Sequence, residues 1–131
     1  MSTPPASRPL SPHLSVYRFH FSMALSILHR ASGVALIGAV MAFILWLWAA
    51  AYNSVLFYSL NTFLQSKAGM ALLTIATFVF YFKCATGLRH LWWNTGRGFQ
   101  LKSIDASGIA AIVFTVIATA LTWVFVCREL Y

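Results

Sequence analysis

The chain has 131 residues, 60% of them hydrophobic and only 8% charged. A soluble domain carries about 25% charged residues, so this composition excludes an ordinary soluble enzyme and points to an integral membrane protein. Nine Lys and Arg against two acidic residues give a net charge of +7. The basic residues stand mostly at the ends of apolar runs, which fits membrane orientation and anionic lipid head groups; no nucleic-acid partner is expected.

Residues 1–21 form an arm. It holds all four prolines, Pro4, Pro5, Pro9 and Pro12, and Pro9 and Pro12 disfavour a helix there. It has no apolar core segment, so it does not read as a secretory signal, and it leaves no room for an amphipathic transit peptide. This favours a bacterial inner membrane, with the mitochondrial inner membrane as the alternative. Tyr17, Arg18, Phe19, His20 and Phe21 suit head-group depth.

The first span is expected at about 28–52. No residue from Ala31 through Ser66 is charged, and Trp46, Trp48 and Tyr52 mark its far end as an aromatic belt. Gly33, Ala35, Gly38 and Ala42 are spaced for close helix contacts or serve as filler. Residues 53–68 read as a loop lying along the interface. The second span, about 69–92, is clean in its first half and carries Lys83, Arg89 and His90 in its second. Asn94, Gly96 and Gly98 then break the helix. Residues 94–107 read as a basic loop with one acid, Asp105. The third span, about 109–127, is uncharged, with Thr115, Thr119 and Thr122 at near-helical spacing. Cys84 and Cys127 have neither CxxC nor zinc-site spacing and read as apolar filler.

The expected fold is therefore an all-α integral membrane protein with three transmembrane helices, a single membrane domain over 1–131. Arg8, Arg18 and Arg30 lie before the first span, and Arg89, Arg97 and Lys102 lie around the second loop. The positive-inside rule puts these segments in the cytoplasm (or matrix) and the C-terminus outside. Two polar clusters, residues 26–30 and 83–90, then lie near one inner face, where helices distant in sequence can meet.

Ser26, His29, Arg30 and Gly33 fall at i, i+3, i+4 and i+7, on one side of a helix. A hydroxyl, an imidazole and a guanidinium at the mouth of a membrane helix are costly to bury alone. They suit a quinone head group, whose carbonyls need donors and whose reduction needs protons, or a haem propionate. They suit equally an interfacial role, Arg30 snorkelling to lipid phosphate and His29 capping a carbonyl. Lys83, Gly87 and His90 share another face. His13 and His20 on the arm read as interfacial contacts. No P-loop, GxGxxG or HExxH pattern occurs, so nucleotide binding and metalloprotease chemistry have no footing.

Taken together, Arg8-Pro9-Leu10-Ser11-Pro12-His13-Leu14 with Tyr17, Ser26-Ile27-Leu28-His29-Arg30 with Gly33, and Gly87-Leu88-Arg89-His90-Leu91 with Trp93 resemble the cytochrome b large membrane-anchor subunit of succinate dehydrogenase, respiratory complex II. The resemblance covers nearly the whole chain. It implies a membrane-anchor subunit, with no complete active site of its own, that pairs with a second small anchor and holds an iron–sulfur subunit and a flavoprotein subunit. It implies a ubiquinone site that includes Ser26, Ile27 and Arg30, and haem b near His29, Arg30 and His90. Two positions depart from the family pattern. Lys83 stands where the family usually has the histidine that ligates haem iron, and Asn94 stands where it usually has Asp. A haem-free anchor of the same complex, an anchor of a quinol:fumarate reductase, and a small transporter are the other readings.

Overall fold

In a computed structural model, residues 18–98 and 100–130 are described. Four helices follow in order: α1 (Phe21–Tyr52), α2 (Ser54–Gln65), α3 (Lys67–Asn94) and α4 (Leu101–Leu130). Three of them, α1, α3 and α4, are long and apolar enough to cross a membrane. At about 1.5 Å per residue each exceeds the ~30 Å hydrocarbon thickness, so each extends into the head-group layer or tilts. The all-α, three-span expectation holds. Of the arm, residues 1–17 lie outside the described residues, and with them the Arg8–Tyr17 motif and His13.

The segment 53–68 is not a loop. It is the twelve-residue helix α2, and of the polar residues that suggested a loop all but Asn61 stand at its ends. Asn53 accepts from Leu56 N–H at 3.0 Å, the side-chain cap expected of Asn at a helix start. Ser66 accepts from Gly69 N–H at 3.2 Å and so starts α3. Within α2, Leu56, Phe57, Leu60, Asn61 and Leu64 are half-buried while their neighbours are exposed, a stripe at helical spacing. That stripe folds back on the end of α1: Trp46 Nε1 donates to Asn61 Oδ1 at 2.9 Å, and the Trp46 and Phe57 rings lie 5.4 Å apart.

The segment 94–107 is also largely helical. After the turn at Thr95–Gly98, where Gly96 and Gly98 adopt φ of 76° and 83°, α4 starts at Leu101. Ser103, Asp105 and Ser107 are thus its first turns, not a connection. The threonines behave as expected for hydroxyls in a low-dielectric medium: each donates to a carbonyl one turn back. Thr115 bonds Ala111 O at 2.7 Å, Thr119 bonds Thr115 O at 2.7 Å and Thr122 bonds Ala118 O at 2.9 Å. Thr115 is fully buried, and its self-satisfied hydroxyl lets α4 turn a polar residue to the interior at little cost. Thr122 is also joined to Tyr81 Oη, 2.9 Å away, which links α4 to α3.

Most large apolar residues of α1 remain exposed, among them Val34, Ile37, Met41, Phe43 and Ile44. In a bilayer this is the ordinary condition of a lipid- or partner-facing helix.

Gly69 fixes the α2–α3 elbow. A Cβ there would collide with backbone atoms of Phe63 and Leu64, which cannot move aside as side-chain ends can. A Cβ at Gly38 would meet nothing within 4 Å. Gly69→Ala is expected to destabilise by about 1–3 kcal/mol, the usual cost of overpacking, and Gly38→Ala to be neutral. Thermal unfolding in detergent compares them; equal midpoints would contradict the elbow packing.

Candidate functional site

The two polar clusters meet. The start of α1 and the end of α3 lie side by side, as the charge distribution implied, and the contact is made by side chains 54 and 57 residues apart. Lys83 Nζ donates to the backbone carbonyl of His29 at 3.0 Å and lies 3.1 Å from His29 Nε2. His29 Nδ1 lies 2.7 Å from Thr86 Oγ1. The His29 and His90 rings stand 4.8 Å apart, and His90 meets Trp93 edge-on at 5.3 Å.

The hydrogen-bond partners order the protons in this network. Thr86 Oγ1 donates to Phe82 O at 2.6 Å, the bond of a buried threonine to its own helix. A hydroxyl has one hydrogen, so toward His29 the same oxygen accepts, and His29 Nδ1 carries the proton. Nε2 then offers its lone pair to Lys83. The chain runs Lys83 Nζ–H to His29 Nε2, His29 Nδ1–H to Thr86 Oγ1, and Thr86 Oγ1–H to Phe82 O. Both ring nitrogens of His29 are occupied. Gly33 makes room for this: a Cβ there would stand 3.1 Å from Lys83 Nζ.

The spacing i, i+3, i+4 spans about 100° between His29 and Arg30, and the structure separates them. His29 turns inward to α3. Arg30 is exposed, Ser26 is half-buried and Ile27 is 57% exposed. Ser26, Ile27 and Arg30 thus border the outer side of α1, while His29 belongs to the α1–α3 seam. Behind the seam, a cavity of about 360 Å³ opens between α1, α3 and α4, lined by apolar side chains such as Leu25, Leu28, Phe78 and Phe82.

Arg89 has a role that its place in the sequence left undecided. It is 8% exposed. Its Nε donates to Ser107 Oγ at 2.9 Å, its Nη2 donates to Ile104 O at 2.8 Å, and its guanidinium lies 4.1 Å from the Trp93 ring centre. Asp105, on the same turn of α4, adds a carboxylate to its surroundings. Arg89 therefore ties the end of α3 to the start of α4. Reading 94–107 as a loop hid this, because the arginine's partners are helical only when α4 starts at Leu101. Ser107, Ile104 and Thr86 were missed as site neighbours; Thr86 lies three residues past Lys83, one turn along its face, and that spacing was the available signal.

Three helices long and apolar enough to cross a membrane, with a seam of basic and hydroxyl groups where the start of α1 meets the end of α3, define a small multi-pass membrane protein. Residues 4–122 match the family described as the succinate dehydrogenase/fumarate reductase transmembrane subunit, and the chain belongs to that family. It is 38% identical over 120 residues to the succinate dehydrogenase cytochrome b556 subunit of Rickettsia felis, covering 89% of this chain and 91% of that one. It is 38% identical over 119 residues to the mitochondrial succinate dehydrogenase cytochrome b560 subunit of Mus musculus, covering 87% and 69%. Against the cytochrome b556 subunit of Paracoccus denitrificans it is 33% identical over 116 residues, covering 88% and 89%. With bacterial and mitochondrial relatives of this kind, it is an inner-membrane multi-pass protein.

The names of these relatives raise the question of haem. Iron takes a lone pair from an axial ligand, such as imidazole nitrogen, thiolate or thioether. At the seam, Lys83 Nζ directs hydrogens at the carbonyl and Nε2 of His29, and both ring nitrogens of His29 are engaged. The pair does not fit an iron ligand.

Labelling histidine with 15N tests the proton order. His29 is expected as the neutral Nδ1–H tautomer, and Thr86→Val, which removes its acceptor, is expected to cost about 1–3 kcal/mol. An Nε2–H tautomer in the wild-type protein would contradict the network.

Proposed function

We propose that this chain is the large membrane-anchor subunit of a succinate:ubiquinone oxidoreductase, and that Ser26, Ile27 and Arg30 are its share of the ubiquinone-reduction site. The observation that carries the reading is the division of the first polar cluster. His29 is committed to Lys83 and Thr86, whereas Ser26 and Arg30 remain on the outer side of α1 beside exposed Ile27.

Reduction of a quinone to a quinol takes two electrons and two protons, and negative charge develops on the carbonyl oxygens before protons arrive. Arg30 is suited to stabilise that charge, because a guanidinium donates but does not give up its proton. Ser26 supplies a hydroxyl that donates to a carbonyl and passes on a proton from water at the head-group layer. Ile27 offers apolar contact to the ring. The site faces away from the rest of this chain, so its other wall belongs to partners: a second small anchor subunit, and an iron–sulfur subunit that receives electrons from a flavoprotein. The positive-inside distribution puts this end of the bundle, with the N-terminus, on the cytoplasmic side of a bacterial inner membrane, or on the matrix side in a mitochondrion.

Ser26→Ala and Arg30→Ala in the assembled complex are expected to lower succinate-dependent quinone reduction. Loss of a hydrogen bond to a charged group, about 1.5–3 kcal/mol, corresponds to a fall in kcat/KM of about tenfold to a hundredfold. Succinate-dependent reduction of a water-soluble dye should be unchanged, since it draws electrons before the membrane. Normal quinone turnover in both variants would remove these residues from the site.

A further inference from the structure

We infer that the Lys83–His29 pair takes the place of the iron ligand in this chain, and that the complex it anchors carries no haem. The inference rests on membership of the complex II anchor family and not on the quinone-site assignment.

The argument starts from lone pairs. The backbone carbonyl of His29 is an acceptor only, so Lys83 Nζ must donate to it at 3.0 Å. The proton order in Thr86 makes His29 Nε2 an acceptor as well. Nζ thus directs two hydrogens at α1, and in the ammonium form that a lysine side chain ordinarily takes it has no lone pair for a metal. It is also pinned between helices: it reaches across the α1–α3 groove over Gly33, where the lining is otherwise apolar, with Leu36, Ile37 and Val40 alongside. A cationic donor in that groove repels iron, and if it rotated away His29 Nε2 would lose its donor, while the His29 carbonyl would keep the Ser32 hydroxyl at 2.8 Å.

The remaining donors at this end do not restore the site. His90 lies seven residues beyond Lys83, about 10 Å farther along the helix at 1.5 Å per residue, between the rings of His29 and Trp93. Cys84 is exposed and lies about 100° around α3 from Lys83.

In this arrangement Lys83 performs mechanically what an iron ligand would otherwise do at the seam. It joins α1 to α3 through side chains of this chain alone. Electrons reaching the membrane then pass to the quinone without a haem alongside.

The test uses the purified intact complex. Flavin is quantified, haem is measured by the pyridine haemochrome method, and a reduced-minus-oxidised visible spectrum is recorded. We expect less than about one haem per ten flavins and no b-type α band. A ratio near one haem per flavin, or a thiolate- or amine-ligated haem spectrum at that ratio, would overturn the inference. Succinate-dependent quinone reduction in the same sample keeps the two readings apart: haem at full stoichiometry with normal turnover sinks only the haem-free inference. Lys83→Met supplies a second readout. It should lower the thermal midpoint of the complex, or prevent its assembly, because the α1–α3 tie is gone. A fully assembled Lys83→Met complex with an unchanged midpoint would show that Lys83 does not replace a structural ligand.

Discussion

A lysine that crosses from one membrane helix to the backbone of another is the constraint on which the polar end of this protein depends. In hydrocarbon no water completes the hydrogen bonds of a buried polar group, and each unmatched one costs several kcal/mol. Lys83, His29 and Thr86 satisfy one another in sequence, ending on the carbonyl of Phe82. Once that chain is closed, its members are no longer available to a ligand. The outer residues Ser26 and Arg30 are left as the chain's free chemistry at that surface. One network thus holds α1 against α3 and separates the inward His29 of a five-residue motif from the outward Arg30.

The same economy recurs elsewhere. Arg89 spends its guanidinium on Ser107, Ile104 and Trp93 and so fixes the third crossing helix to the second. The threonines of α4 bond their own backbone, so they are polar by composition but present little demand to their surroundings. Cohesion at the polar end comes from a few directed donors, and away from it from small residues and close approach. Gly69 illustrates the second kind: a Cβ there would collide with backbone atoms of Phe63 and Leu64. Since lipid tails are as apolar as leucine, hydrophobicity alone does not select between a helix neighbour and lipid, and fit and hydrogen bonds decide.

Much of this was legible in the residues themselves. Three long uncharged runs mark the crossing helices, and the placement of Arg and Lys puts residues 26–30 and 83–90 at one end. What one-dimensional reading could not resolve was the division within a face. Ser26, His29 and Arg30 satisfy a helical spacing, but that spacing tolerates a spread of about 100°, enough for His29 to point at α3 while Arg30 points away. The pairing of Lys83 with His29 joins residues 54 apart and depends on how two helices rotate against each other, which no local pattern encodes. The missed helix α2 and the early start of α4 share a different cause. Asn53 and Ser66 are polar because they cap helices, and Ser107 is polar because it receives Arg89; both uses resemble loops by composition.

The short helix α2 has a consequence for how the membrane is occupied. It connects the far ends of α1 and α3, is capped at both ends, and is bonded to Trp46 through Asn61. Its Val55 and Tyr58 side chains are each 76% exposed on the opposite side. A two-sided helix of this kind at a bilayer surface acts as a float: it sets the depth at which the far ends of both spans come to rest. Depth set there is carried along the rigid α1 and α3 to their other ends. The Trp46–Asn61 bond therefore couples the seating of α2 to the far end of α1, the helix that carries Ser26 and Arg30 at its other end.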